Sequence, residues 1–191
     1  MLTAAVDQTY PGDLPVPEDD GACKHLTGAA MPDLSLMIAK DPTKTVNLSK
    51  QPGLTIAFCY PRTAAPGETV PDSWNAIPGA RGCTPQACSF RDSFSEIKRL
   101  GVSQVFGVST QSPSYQAEVH ERLHLPYDLL SDEDLRLQQA LLLPTFDWDD
   151  GKLLKRVTLA IENSQILKVW YPVFPPDKST EAVVAWLKER R

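Results

Sequence analysis

The sequence predicts an α/β domain in which helices cover both faces of one mixed sheet. Three observations carry this. The apolar run Leu54–Tyr60 is bounded by Pro52-Gly53 and Pro61, as a buried strand should be. A helical pattern and a second apolar run, Val102–Ser109, follow it and complete a strand–helix–strand unit. Towards the C-terminus, Lys155–Ile161 and Gln165–Tyr171 are separated by Glu162-Asn163-Ser164, a hairpin signal. With 191 residues, 42% of them hydrophobic, the chain can build one domain with a sizeable core but hardly two.

The elements run in order as follows. Residues 1–22 hold Pro11, Gly12, Pro15, Pro17 and the acids Glu18, Asp19 and Asp20, with no periodicity, and read as an extended, loosely attached arm. The expected division is an arm over 1–27 and a domain over 28–191. After the strand Leu54–Tyr60, a long loop rich in proline and glycine reaches from Arg62 to about Gly82; loops of that length in a compact domain are usually functional. Cys83, Ala87, Phe90, Phe94 and Ile97 then recur at spacings of four and three, one face of a helix ending before Gly101. Two more helices are expected past Val102–Ser109. One is Pro113–His124, stopped by Pro126; the other is Ser131–Leu142, opened by a cap-like Ser131 and the acids Asp132–Asp134. A last helix, Lys178–Arg190, follows the Pro175-Pro176 pair, with Val183, Val184 and Leu187 on one face. A βαβ half joined to a ββα half is the thioredoxin topology, in which the working thiol sits where the first strand's loop meets the next helix. Cys83 falls there.

Composition removes several classes of function. The net charge is −5 and no Lys/Arg run occurs, so nucleic-acid binding has no electrostatic footprint. No apolar stretch reaches the ~20 residues needed to cross a bilayer. Met1–Tyr10 has neither a basic n-region nor an apolar h-region, so the expectation is a soluble, cytoplasmic protein. In that setting the four cysteines, Cys23, Cys59, Cys83 and Cys88, read as catalytic, metal-binding or buried rather than as a disulfide framework.

The segment 82–92 is the most informative. The thiolate is the reactive form of cysteine, and a helix N-terminus favours it through unpaired N–H groups and partial positive charge. Cys83 is placed to gain from this, and Pro85 suits a first turn. Cys88 lies five residues on. In an unbroken helix the two Cα atoms stand roughly 8–9 Å apart, beyond the ~4.4–6.8 Å a disulfide spans. Linking them therefore requires the first turn to unwind. Two core cysteines satisfied by packing are the bland alternative, and spacing alone does not choose.

Gly-Cys-Thr-x-x-Ala-Cys-x-Phe-Arg-Asp at 82–92 resembles the active-site helix of peroxiredoxins of the bacterioferritin-comigratory-protein type, in the redoxin family. Met31-Pro32-Asp33-Leu34-Ser35-Leu36, Phe58-Cys59-Tyr60-Pro61, Leu130-Ser131-Asp132 and Arg156-Val157-Thr158-Leu159 are similar to further signatures of that group. The resemblance covers about residue 28 to the C-terminus. It implies that Cys83 attacks the peroxide O–O bond, that Cys88 resolves the sulfenic acid through an intrachain disulfide, and that Arg156 stabilises the thiolate and orients the peroxide. The implied substrates are hydrogen peroxide and organic hydroperoxides. The implied electron donor is thioredoxin, with glutaredoxin or glutathione as alternatives. No metal or organic cofactor is implied, and a homodimer is an allowed assembly.

Residue by residue there are rivals and departures. Arg62 and Arg81 flank the same loop and compete with Arg156 for the guanidinium role. The group's usual proline and threonine before the peroxidatic cysteine are Ala76 and Ala80 here, and Thr63 is the candidate to supply the missing hydroxyl. His120-Glu121-Arg122-Leu123-His124 matches the zinc-protease His-Glu-x-x-His pattern, but Arg122 and the breaking Pro126 argue for a chance match on a solvated helix end. Cys23 and His25 are two ligands at most, too few for a metal site, and Cys59 reads as a core hydrophobe. Two further alternatives are a thiol redox sensor without turnover and a thioredoxin-like disulfide reductase. The second is weakened by the C-x4-C spacing and by the absence of a proline before Val157.

Overall fold

The computed structural model describes residues 13–149 and 151–190; the first twelve residues of the expected arm lie outside the described residues. In chain order the elements are β1 (Leu36–Ile38), β2 (Asp41–Val46), β3 (Leu54–Cys59), α1 (Asp72–Asn75), α2 (Cys83–Asp92), α3 (Phe94–Arg99), β4 (Val102–Ser109), α4 (Pro113–Arg122), β5 (Asp128–Ser131), α5 (Arg136–Leu141), β6 (Thr145–Trp148), β7 (Gly151–Leu154), β8 (Val157–Glu162), β9 (Gln165–Trp170) and α6 (Ser179–Glu189). Seven strands form one mixed sheet in the order β2-β1-β5-β4-β3-β8-β9, while β6 and β7 pair separately. β3 and β5 flank β4 in parallel, and β8 runs antiparallel to β3 on its other side. The α/β, thioredoxin-like architecture expected from the element order is present.

β3 is buried along its whole length because both sheet faces are covered. Alternation sends Ile56 and Phe58 into one layer with Phe90 of α2, Ile97 of α3, Val119 of α4, and Val183 and Leu187 of α6. Ala57 and Cys59 enter the opposite layer with Leu137 and Leu141 of α5 and with Leu26 and Met31. Phe58 stacks on Phe90 at 4.2 Å between centroids and takes the edge of Tyr127 at 5.6 Å. The Tyr127 hydroxyl then donates to the Ala87 carbonyl at 2.7 Å, tying α2 to the loop before β5. Gly107 is required by this packing. A Cβ there would lie 2.6 Å from Leu129 Cδ2 and 3.0 Å from Phe58 Cζ.

Several expectations need correction. The helix expected to run from Cys83 to before Gly101 breaks at Ser93, whose hydroxyl, like that of Ser89, bonds to buried Thr180 at the start of α6. Ser131 is not a helix cap but the last residue of β5. The capping carboxylate is Asp132, which accepts from the Leu137 and Gln138 N–H groups at 2.8 and 2.9 Å. The long loop contains α1, and the hairpins β1–β2 and β6–β7 are additional. The described part of the arm is not loose, since Cys23 and Leu26 are core residues and Asp20 binds both Lys155 and the Tyr171 hydroxyl at 2.9 Å.

Phe90→Ala is expected to cost about 3–5 kcal/mol, because it empties a site stacked on Phe58 that its neighbours cannot refill. Urea denaturation would read this as a lowered midpoint, and an unchanged midpoint would show that α2 is not anchored by that ring.

Candidate active site

Gly82 has φ +107°, a left-handed conformation that side chains rarely adopt. It turns the chain out of the long loop so that Cys83 becomes the first residue of α2. The Cys83 Sγ therefore lies at the electropositive end of that helix, only 5% of the residue being exposed.

Arg156, just before β8, reaches the same point and is 3% exposed. Its Nη2 carries two hydrogens and meets two acceptors, Cys83 Sγ at 3.1 Å and the Ala80 carbonyl at 2.9 Å. Its Nη1 donates to Gln86 Oε1 at 2.6 Å. A guanidinium can only donate, so this contact fixes the Gln86 amide with its oxygen towards Arg156. Among the described residues, Arg156 Nε and Gln86 Nε2 are buried donors with no partner. Sequence reasoning did not single out Gln86. The available signal was its place one helical turn after Cys83, on the same face.

The rival arginines are engaged elsewhere. Arg62 pairs with Glu68 and lies over the Trp74 ring, 5.8 Å from its centroid. Arg81 donates to Asn75 Oδ1 at 2.9 Å. Thr63 is buried, and its hydroxyl and backbone N–H both turn to Gln111 Oε1, at 3.3 and 2.9 Å. It is thus held by Gln111 rather than offered to Cys83. The position of the usual threonine, Ala80, contributes its carbonyl, which accepts from Arg156 and, at 3.8 Å, from the Cys83 thiol.

The other cysteines sit in different environments. Cys88 is buried inside α2 and unbonded, and burial pushes its thiol up. Cys59, within β3, is pushed up further by full burial, and Cys23 is pushed up to about 12, first by burial and then by Asp20 and Asp19. His120 and His124 do not share a helix. α4 ends at Arg122, and His124 lies beyond it with φ +50°. His25 Nε2 meets the Leu141 carbonyl at 2.8 Å. Among the described residues no group of three His, Cys, Asp or Glu side chains is arranged to hold a metal ion.

What this arrangement can do is hold an anionic sulfur in a largely water-excluded site, between a helix N-terminus and a fixed guanidinium. The sequence profile of the Redoxin family matches residues 26–184. A chloroplastic peroxiredoxin Q of Populus jackii is 30% identical over 164 residues, 84% of this chain and 67% of that one. The crystal structure of the peroxidoxin BcpB from Mycobacterium tuberculosis superposes with a TM-score of 0.68 at 26% identity, covering 87% of this chain and 98% of that one. The bacterioferritin comigratory protein of Xanthomonas campestris, solved in trapped intermediate and ligand complexes, gives 0.66 at 20% identity over 86% of this chain and 97% of its own.

Brief iodoacetamide treatment at pH 7 with peptide mapping is expected to label Cys83 before Cys23, Cys59 and Cys88. A raised thiol stays protonated at pH 7, so labelling of Cys23 should climb about tenfold per pH unit as pH rises. Uniform labelling of all four thiols at pH 7 would contradict this ordering.

Proposed function

The chain belongs to the Redoxin family, as a peroxiredoxin of the bacterioferritin-comigratory-protein type and a thiol-dependent peroxidase, and from that premise we propose how its residues divide the reaction. Cys83 Sγ attacks the terminal oxygen of the peroxide. The O–O bond breaks, the alcohol or water leaves with a proton, and Cys83 becomes a sulfenic acid. Arg156 stabilises the thiolate and orients the peroxide, with Gln86 fixing the guanidinium through Nη1. The observation that carries this reading is the buried 3.1 Å contact from Arg156 Nη2 to Cys83 Sγ.

Cys88 is the proposed resolving thiol. It condenses with the sulfenic acid, releasing water and leaving an intrachain disulfide that a thioredoxin-type dithiol reduces. Thioredoxin itself is the first candidate, ahead of glutaredoxin or glutathione. The helical positions of the two cysteines support a cycle in which the first turn of α2 unwinds after oxidation. Burial keeps the Cys88 thiol protonated and out of reach until then. Organic hydroperoxides join hydrogen peroxide as proposed substrates, a reading supported by the alkyl peroxide reduction for which the Xanthomonas campestris protein is described.

The two thiols separate in their variants. Cys83→Ser should abolish reaction with peroxide, because a serine hydroxyl is scarcely ionised at neutral pH. Cys88→Ser should leave the first oxidation within about threefold of the parent, trap Cys83 as sulfenic acid open to over-oxidation, and stop turnover with a dithiol. Stopped-flow oxidation and intact-mass measurement test both. Rapid reaction of the Cys83 variant, with none from the Cys88 variant, would reverse the assignment.

A further inference from the structure

A cavity of about 380 Å³ opens beside Arg156. One liquid-water share is ~30 Å³, so hydrogen peroxide needs only a small part of this space. The volume lies at the lower end of the range that takes small organic ligands. Its walls are largely apolar, with Ile77 and Pro78 from the active-site loop, Phe146 of β6 and Val173 after β9. Arg156 is the residue it shares with the thiol site: it lines the cavity, and its Nη2 donates to Cys83 Sγ.

The remaining wall comes from the N-terminal segment, through Val16, Pro17, Glu18 and Asp20. These residues precede the stretch matched by the family profile, which begins at residue 26. They are held against the site by definite contacts. Asp20 binds Lys155, the neighbour of Arg156, and Tyr171. Pro17 packs so closely on Gly79 that a Cβ at that glycine would meet Pro17 Cγ at 3.3 Å. Val16 is nevertheless 63% exposed, an apolar surface that an occupant of the cavity would cover.

Charge at the mouth is asymmetric. Lys155 is neutralised by Asp20, and Arg156 is turned towards Cys83, Ala80 and Gln86. Among the described residues no ion pair engages Glu18, which is exposed, whereas Arg156 is buried, so the exposed charge without an ion-pair partner at this rim is negative.

We propose that residues 16–20 are a specificity wall of the peroxidase, shaping a cavity beside Arg156 that takes the uncharged, apolar tail of a bulky hydroperoxide and disfavours tails bearing a carboxylate. The tail lies against Val16, Pro17 and Phe146 while its –OOH group points past Arg156 to Cys83. This rests on the assignment of Cys83 as the attacking thiol.

The test compares kcat/KM for hydrogen peroxide, cumene hydroperoxide and linoleic acid hydroperoxide in the full chain. Val16→Asp should lower the ratio of cumene hydroperoxide to hydrogen peroxide about tenfold, mainly through KM, since it replaces an apolar contact by a charge. Glu18→Lys, at an exposed position that does not threaten folding, should raise the ratio of linoleic acid hydroperoxide to cumene hydroperoxide about threefold, less so at high salt. Both ratios unchanged would overturn the wall, as would equal losses on all three substrates. A parent protein whose Cys83 fails to react even with hydrogen peroxide would instead overturn the thiol assignment, and this inference with it.

Discussion

The buried guanidinium of Arg156 is the constraint around which the rest is arranged. Taking such a charge out of water costs several kcal/mol unless acceptors replace the lost hydration. All three acceptors come from seven consecutive residues, the Ala80 carbonyl, Cys83 Sγ and Gln86 Oε1. One cation therefore joins the start of β8 to the start of α2, and its terminal nitrogens meet these acceptors only when the turn at Gly82 has brought the sulfur to the helix end. Helix N-terminus and guanidinium both turn hydrogen-bond donors and positive charge towards that sulfur.

The residues inserted between Tyr60 and Gly82 brace this arrangement. Trp74 of α1 packs on Phe146 and Trp148 of β6, at 5.8 and 4.9 Å between centroids. The β6–β7 hairpin leads directly into Arg156, so the aromatic cluster braces both the loop that carries Ala80 and the short connection into β8 that carries the cation. The same geometry explains how chemistry can be coupled to motion. Under the proposed chemistry a neutral sulfenic acid would replace the thiolate, which would weaken the bond that holds the first turn of α2 to Arg156. Deeper in the helix, Phe90 on Phe58 and Tyr127 on Ala87 resist further unwinding.

The parts of the fold legible in sequence were those with strong periodicity and clear punctuation. β3, β4, the β8–β9 hairpin and α6 are buried elements whose apolar runs end at proline, glycine or polar turns. β2 was hidden because it is an edge strand, with Pro42 and mostly exposed polar residues in place of alternation. β5 went unseen, and the helix expected from Ser131 begins only at Arg136, because Ser131 with the acids after it reads as a cap whereas Ser131 ends the strand and Asp132 caps from a distance. The β6–β7 hairpin lies among aromatics that serve Trp74 rather than the main sheet. At the site, Cys83 and Arg156 were readable through their motifs. Gln86 was not, because a buried amide shows in sequence only as a polar residue on a helix.

The central claim is that the Arg156 fork makes Cys83 reactive. The most direct measurement is the second-order rate of Cys83 oxidation by hydrogen peroxide in Arg156→Met and Arg156→Lys, followed by stopped flow on folded protein. Losing a preorganised donor of this kind typically costs about 10²–10³ in rate. A fall of that size is predicted for Arg156→Met, with Arg156→Lys only partly restored because a lysine lacks the fork that meets Ala80, Cys83 and Gln86 together. Rates for both variants within about twofold of the parent would contradict the account.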